Sequence, residues 1–430
     1  MVYIRCVRVP TRGGRMTIRS TSAARALVVG VVVVVAAGAL LVLPLRAATA
    51  TVHAAAASGP VVKVGMIAPI TSPTAANPDQ GEAFKAAVAA FNKRGGLGTS
   101  GSRMQAVICD TKGDANGEVD CARKMVDAGV VATINDLAYN NPSGVQEVLA
   151  RAGIPRIGLG STGTESDTTL NYPLSTGIVG AYQADAVGFA DRGKTKVVLV
   201  RTDAATGGAF KAFISPPFKA AGVEVVGDVA IATGSSDYAP YVAEIQRSDP
   251  DAVLLAIDDT SAAQLIAAMG QLDYKVLLGG HPGTFPLEVL RKFKDDTKGT
   301  LLAESFPYPS QNNVKNFPGL KQFFADMKAS GKAILDPKKL QPTSFYPWVS
   351  TLAFVNVVAD VDGVTKDSVV EALATAKDVD LEGLAAPWTP SAPGFSFFGA
   401  VSNHFVYISH FDGKNVVTDT EPIDVTEYFK

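Results

Sequence analysis

The sequence has little cysteine, and it lacks the side-chain clusters that hold metal ions. Only three of its 430 residues are cysteine, with no CxxC pair and no cysteine–histidine group. We therefore expect no zinc site and no cofactor. The formal net charge is -2, and no basic stripe is present, so nucleic acid is not an expected partner. The absence of a short-period repeat excludes solenoids and propellers.

One apolar run, Ala26–Leu45, is about long enough to cross a bilayer, and arginines without any acid precede it. This pattern is typical of a secretory signal, so we expect residues 1–60 to form a leader and the protein to be exported, to the periplasm or the cell surface. Met16 is an alternative start. An uncleaved N-terminal membrane anchor is the alternative to cleavage. Cys6 precedes the run, outside any lipobox position, so no lipid anchor is expected.

Two cysteines remain after the leader, and they make an even pair. Cys109 ends a predicted strand, and Cys121 lies in the helix that follows it. A strand end and the next helix come close enough for a disulfide, which an exported protein can keep. Two buried free thiols are the alternative.

Apolar strand-like runs alternate with helical patterns along the rest of the chain, which indicates βαβ units and parallel sheets. The pattern breaks near 173–177 and then restarts, so we predict an α/β fold with two similar halves. The tail predicts a hairpin with an Asp412-Gly413 turn. Strands are predicted at 61–70, 104–109, 130–134, 154–159, 196–201, 223–226, 252–257, 275–278 and 299–306.

Ligands of open parallel sheets bind beyond the carboxyl ends of the strands, so polar residues there are candidates. Ser161 and Thr162 lie in a glycine-rich loop that could hold a carboxylate, although a plain loop is the alternative. Asp258 and Asp259 could hold a cationic ligand or cap a helix. His281 is either a ligand contact or a solvated loop residue.

Two motifs are weak when their context is considered. Gly188–Thr195 matches the phosphate-loop pattern GxxxxGK[ST], but it ends a predicted helix instead of opening one. Gly193 then reads as a helix C-cap glycine. The loop after 154–159 resembles a hydrolase elbow, but Leu159 stands where the pattern GxSxG needs its first glycine.

Several short segments occur in a characteristic order: Val64–Thr71, Gln80–Phe84, Asn92-Lys-Arg-Gly-Gly-Leu-Gly98, Asp110–Asp114 and Gly153–Pro155, followed by the Ser161-Thr162 loop. From Val61 to the C-terminus the sequence resembles the type I periplasmic binding proteins. The resemblance is to the branched-chain amino acid (Leu/Ile/Val) receptors of ABC transporters in particular.

The resemblance implies two doubly wound parallel-sheet lobes joined by three crossings, near Ser175–Ile178, Ala303–Phe306 and Phe395–Ser402. Lobe 1 would comprise 61–178 and 304–395, and lobe 2 would comprise 179–303 and 396–430. It implies a monomeric receptor, not an enzyme, that closes on a small polar ligand and delivers it to an ABC permease in the membrane.

The resemblance also implies a ligand site. The ligand carboxylate would be held by the first lobe and its ammonium by the second, with His281 in the usual place of an acid and Asn77 in that of an aromatic residue. The implied ligand-binding residues are Thr71, Asn77, Tyr139, Asn140, Gly160, Ser161, Thr162, Thr206, Asp258 and His281.

Three other functions stay open. The first is a ligand sensor of the same fold without transport, which the genes next to it would distinguish. The second is a secreted hydrolase, although no Ser-His-Asp order stands out. The third is a membrane-anchored adhesion or structural protein, which would bind no small molecule.

Overall fold

The computed structural model describes residues 56–72, 76–159, 163–203, 207–396 and 398–430. The apolar run of the predicted leader lies outside these residues. Among the described residues, no helix combines the length and the hydrophobicity needed to span a membrane.

The first sheet has five strands, all parallel, in the order β2-β1-β3-β4-β5. The last five residues of β1 are buried, as the buried-strand pattern predicted, and β3 and β4 are buried throughout. The strands are β1 (Val61–Ala68), β2 (Arg103–Asp110), β3 (Thr133–Ile134), β4 (Arg156–Gly158) and β5 (Asn171–Pro173).

The second sheet repeats this order with five parallel strands and adds an antiparallel hairpin at one edge, giving β12-β11-β10-β9-β8-β6-β7. A short strand, β13, pairs with the other end of β11. The strands are β6 (Lys196–Thr202), β7 (Glu224–Ile231), β8 (Ala252–Ala256), β9 (Leu277–Gly280), β10 (Leu301–Glu304), β11 (Phe405–Phe411), β12 (Val416–Thr418) and β13 (Ile423–Asp424).

Helices cover both faces of both sheets, which produces four separate apolar cores. We call each sheet with its helices a lobe. The first lobe contains α1 (Pro78–Lys93), α2 (Ala115–Ala128), α3 (Pro142–Arg151), α10 (Gly319–Ala329), α11 (Phe345–Val357) and α12 (Lys366–Thr375). The second contains α4 (Gly177–Ala190), α5 (Gly207–Ala220), α6 (Ala239–Arg247), α7 (Asp259–Gln271), α8 (Leu287–Lys292) and α9 (Lys294–Thr297). The predicted fold of two doubly wound parallel-sheet lobes is confirmed.

The chain passes between the lobes three times, and the passing segments are bonded to one another. They follow β5, follow β10 and precede β11. The backbone N–H of Thr176 donates to Ser305 Oγ at 2.9 Å, and Asn403 Nδ2 donates to the carbonyl of Leu174 at 2.7 Å. Since these bonds join segments far apart in sequence, they locate a hinge beside the ends of β5 and β10.

Several local predictions are confirmed by the backbone. The Cys109–Cys121 disulfide is present and joins the end of β2 to α2. The false phosphate loop ends α4, and Gly193 adopts the left-handed φ of 68° before β6 begins. Asp412 accepts the backbone N–H groups of Lys414 and Asn415 in the hairpin turn.

Two strands differ from their predictions. The predicted strand 130–134 is regular only at Thr133–Ile134, although the two residues before it also bond to β1: Val131 N–H donates to the Lys63 carbonyl and Gly65 N–H donates to the Ala132 carbonyl, both at 2.9 Å. The strand ends where Asn135 takes a positive φ of 54° and the Asp136 carboxylate accepts the N–H of Ile67. β5 was not predicted. It is an edge strand of three residues beside the point where the alternating pattern breaks, and a strand so short shows no periodicity in the sequence.

Candidate functional site

A cleft of about 810 Å³ lies where the carboxyl ends of the two sheets meet. Strand order reverses beside β1 in the first sheet and beside β6 in the second. Loops at such switch points diverge and leave a crevice, which is where open α/β sheets bind ligands. Residues of both lobes line the cleft, so its volume depends on the angle between the lobes.

A chain of side-chain amides fixes the wall that the first lobe contributes. Gln80, in the first turn of α1, donates from Nε2 to Asn77 Oδ1 at 3.0 Å. Its Oε1 accepts from Nδ2 of Asn135 at 2.9 Å. The loop after β1 is thereby tied to the loop after β3, and both Asn77 and Gln80 face the cleft.

The loop after β3 is held from behind by a buried carboxylate. Glu118, in α2, is fully buried and accepts the backbone N–H groups of Tyr139, Asn140 and Asn141 at 2.6–3.1 Å. These amides are therefore already satisfied. What the loop offers to the cleft is the side chain of Tyr139, which is 49% exposed. Partial withdrawal from water, followed by the charges of Asp79 and Glu118, raises the pKa of Tyr139.

In the second lobe, Asp258 caps α7. Its Oδ1 accepts the backbone N–H of Ser261 at 2.9 Å and its Oδ2 accepts the Ser261 hydroxyl at 2.6 Å. The capping role considered from sequence is therefore present, while the residue also lines the cleft. Asp259 lines the cleft beside it, and partial burial, followed by the charge of Asp258, raises the pKa of Asp259.

A histidine, a glutamate and a tyrosine meet where the lobes join. His281 Nε2 lies 2.6 Å from Glu304 Oε2, and the Tyr346 hydroxyl lies 3.2 Å from each of these atoms. His281 Nδ1 accepts the N–H of Gly283 at 3.1 Å, so the proton of the neutral imidazole sits on Nε2 and is donated to Glu304.

Tyr346 belongs to the first lobe and His281 to the second, so this cluster bridges the hinge. Burial, followed by the charge of Glu304, raises the pKa of the Tyr346 phenol well above its usual value. The phenol therefore stays protonated and donates to the Glu304 carboxylate.

Glu165 brings a further carboxylate to the cleft from the first lobe. Its Oε2 accepts the backbone N–H of Gly163 at 2.6 Å. Burial raises the pKa of this carboxyl group. No ion pair to Glu165 occurs within the described part of the chain.

The predicted ligand-binding residues fall into three groups. Asn77, Tyr139, Asp258 and His281 line the cleft. Thr71 and Asn140 are not among the lining residues: the Thr71 hydroxyl donates to Asp110 at 2.5 Å, and the Asn140 amide donates to Glu118 and to the Gly113 carbonyl. Gly160, Ser161, Thr162 and Thr206 lie outside the described residues.

Sequence reasoning missed several residues that line the cleft, and most of them carry no local signal in the sequence. Glu304 ends a buried strand and Tyr346 begins a buried helix, and only folding brings them to His281. Gln80 could have been found, because it lies in the first turn of the helix after β1. Glu165 and Tyr182 also line the cleft, and the sequence patterns predicted neither of them.

Known proteins share sequence as well as fold with this chain. The sequence matches the periplasmic binding protein family over residues 61–397. It is 27% identical over 225 residues to the Leu/Ile/Val-binding protein BraC3 of Rhizobium johnstonii, a match that covers 49% of this chain and 59% of that protein. The match thus spans about three fifths of that relative's length.

Solved structures share the fold. A substrate-binding periplasmic protein from Ralstonia solanacearum superposes with a TM-score of 0.69 at 18% identity, covering 83% of this chain and 100% of the other. An ABC-transporter solute-binding protein from Rhodopseudomonas palustris HaA2, in complex with p-hydroxybenzoic acid, gives a TM-score of 0.68 at 17% identity, covering 86% and 98%. Identities this low establish likeness of fold alone.

Proposed function

Because the chain belongs to the periplasmic binding protein family, matched over residues 61–397, we propose that it is an exported receptor for a small polar molecule. The ligand, an amino acid or a related compound, binds between the lobes and is delivered to an ABC permease in the membrane. The protein acts as a monomer and performs no chemistry on its ligand.

The cleft is the observation that carries this proposal. It is lined from both sheets at the carboxyl ends of their strands, and polar side chains converge on it from each lobe. A hinge of three segments lies beside it. Such a geometry supports binding by closure, in which rotation of one lobe buries the ligand and creates the surface that a permease recognises.

We propose the lobe boundaries that the sequence predicted and, as ligand contacts, eight of its ten predicted site residues. The lobes comprise 61–178 with 304–395 and 179–303 with 396–430. Leu159 and Thr202 line the cleft immediately before two loops of the site, which supports roles for Gly160, Ser161, Thr162 and Thr206. Asn77, Tyr139, Asp258 and His281 contact the ligand directly, and Thr71 and Asn140 shape the loops behind them.

A screen of amino acids, short amides, aromatic acids, amines and polyols on the protein without its leader tests the function. We expect at least one compound to raise the melting temperature and, at saturation, to lower the radius of gyration measured by small-angle scattering. The proposal fails if no compound in the screen binds. A compound that binds without compaction would argue for a receptor that is closed before it binds or for a site outside the cleft.

A further inference from the structure

The two ring nitrogens of His281 have different hydrogen-bond roles. Nε2 donates to Glu304 Oε2 at 2.6 Å, while Nδ1 accepts the backbone N–H of Gly283 at 3.1 Å. A neutral imidazole has one donor and one acceptor, so it satisfies both neighbours. A protonated imidazole has two donors and no acceptor, and its Nδ1–H group would point at the N–H of Gly283.

The bond to Nδ1 closes a tight turn in the wall of the cleft. The N–H of Thr284 donates to the His281 carbonyl at 2.9 Å, and the Thr284 hydroxyl donates to the Ile257 carbonyl at 2.8 Å. Gly283 and Thr284 both line the cleft. The shape of this wall therefore depends on an acceptor at Nδ1, which only the neutral imidazole provides.

The turn lies beside the first lobe. A Cβ atom added to Gly283 would lie 3.2 Å from His281 Nδ1 and 3.6 Å from Thr343 Cγ2, so little space surrounds this backbone. Thr343 is held in the first lobe, because its hydroxyl donates to the buried Asp79 of α1 at 2.9 Å. Since Gly283 lies between the imidazole and a fixed side chain of the other lobe, a change in the turn alters the contact between the lobes.

Protonation leaves the opposite side of the ring bonded. The Nε2–H group still donates to the Glu304 carboxylate, and this hydrogen bond becomes an ion pair. The Tyr346 phenol, from α11, donates to the same carboxylate. The cationic imidazole therefore stays in place, and the rearrangement is confined to the turn on its Nδ1 side.

Other titratable groups face the same space. Glu304 of β10 and Tyr346 of α11 contact the ring. The remaining titratable groups among the described lining residues are Tyr139, Glu165, Tyr182, Asp258 and Asp259. Burial raises the pKa of the Glu165 and Asp259 carboxyl groups, so these two gain protons at a higher pH than ordinary carboxyl groups do. Variants of His281 are therefore needed to assign a pH response to the imidazole.

We propose that His281 is an acid-sensitive switch in the wall of the cleft. At neutral pH its Nδ1 closes the turn 281–284 beside the first lobe. At acid pH its protonation opens the turn, which removes a contact between the lobes and widens the angle between them. Imidazoles ordinarily change charge between about pH 5 and pH 8. His281 acts here as a positioning residue, and the switch requires no bound ligand.

Two substitutions separate the two sides of the ring. In His281→Asn, the side-chain oxygen takes the place of Nδ1 and accepts the N–H two residues further on, so the turn stays closed without a titratable group. In His281→Gln, the longer side chain reaches Glu304 with its amide N–H but offers Gly283 no acceptor, so the turn stays open. Neither side chain changes its charge with pH.

Small-angle scattering of the unliganded protein at about pH 8 and about pH 5 tests the switch. We expect the radius of gyration of the wild type to rise on acidification. His281→Asn should keep the smaller value at both pH values, and His281→Gln should keep the larger one. His410→Asn is the matched control, because His410 Nδ1 lies 4.0 Å from Asp419 on the hairpin of the second lobe, and it should respond as the wild type does.

Nitrogen-15 NMR of the imidazole rings tests the premise in the wild type. At the higher pH we expect the proton of His281 on Nε2, and at the lower pH we expect both nitrogens to be protonated. A proton on Nδ1 at the higher pH overturns the inference, as does a ring that stays neutral at the lower pH.

A radius of gyration that stays constant in the wild type also overturns the inference, as does an equal rise in His281→Asn. The measurements on the wild type decide even where a variant fails to fold. None of them uses a ligand, so a negative result leaves the proposed receptor function intact.

Discussion

Buried carboxylates have three different surroundings in this protein. Asp136 is buried against Arg156 at 3.3 Å, so its charge is paired. Glu118 is fully buried and accepts three backbone N–H groups. Asp185, in α4, is fully buried, and neither of its carboxylate oxygens has a hydrogen-bond partner among the residues that the structure describes. The consequences of substitution therefore differ from one acid to the next.

Asp185 should make stability depend on pH. Burial raises the pKa of its carboxyl group well above the usual value, so the folded state holds a proton that the unfolded state releases. The contribution of the protonated carboxyl group to stability is therefore fully present below the ordinary aspartate pKa of about 4. Above it, the free energy of unfolding falls by about 1.4 kcal/mol for each pH unit, until the pH reaches the pKa of Asp185 in the folded state. Asp185→Asn should flatten this fall, measured by urea unfolding from pH 4 to pH 8. An unchanged slope would mean that other groups dominate.

Glu118 should be essential to the shape of the Tyr139 loop. In Glu118→Gln, the amide NH₂ group faces backbone N–H groups and the charge-assisted hydrogen bonds are removed. We therefore expect the free energy of unfolding to fall by about 2–3 kcal/mol. Ligand affinity should fall as well, because Tyr139 loses its support. Glu147→Gln, at an exposed position of α3, breaks only a surface ion pair with Arg151 and should lower the free energy of unfolding by less than about 0.5 kcal/mol. Equal losses of stability in Glu118→Gln and Glu147→Gln would refute the role of Glu118 in supporting the Tyr139 loop.

At the scale of elements, α2 connects the disulfide to the cleft. Cys121 joins it to the end of β2, where Asp110 holds Thr71, and Glu118 joins it to the loop after β3. The disulfide therefore supports, through α2 and β2, the loops that follow β1 and β3. These are the strands at the switch point of the first sheet.

Removal of the disulfide should lower stability and loosen these loops. The bond closes a short loop, with a sequence separation of 12, so the loss in the Cys109→Ala/Cys121→Ala variant should be about 2–4 kcal/mol. Urea unfolding of the oxidised protein, the reduced protein and the double variant measures this, and the last two should agree. Two alkylatable thiols in the exported protein under non-reducing conditions would show that the bond does not form.

At the scale of the whole molecule, the bonds between Tyr346, His281 and Glu304 hold the lobes at the angle that the structure shows. Rotation about the hinge must break or rearrange the contact between Tyr346 and His281, because these two residues belong to different lobes. The cluster therefore biases the equilibrium between open and closed forms.

Tyr346→Phe should shift that equilibrium. The ring still fills the core of the first lobe, but the hydroxyl bonds, worth about 1–2 kcal/mol, are lost. We expect small-angle scattering of the unliganded variant to give a different radius of gyration from the wild type. Tyr308→Phe is the control, because its hydroxyl donates to the Phe285 carbonyl at 3.4 Å and both side chains lie in the same apolar core, away from His281 and Glu304. A change of the same size in both variants would mean that the cluster does not control the angle.

Much of the fold follows from local patterns in the sequence. Apolar runs such as 252–256 predict buried parallel strands, and the even pair of cysteines on adjacent elements predicts the disulfide. The context of Gly193 is enough to recognise the false phosphate loop. Each of these features is determined by residues that are close together in the sequence, so a local pattern is enough to predict it.

Tertiary structure alone decided which polar groups face the cleft and which are already bonded. The sequence placed Thr71 and Asn140 after the right strands, but the Thr71 hydroxyl is bonded to Asp110 and the Asn140 amide to Glu118. It did not indicate that Glu304 and Tyr346 would meet His281. Hydrogen bonds between residues so far apart in the chain form only once both sheets are assembled and the chain has crossed between them, so no local pattern records them.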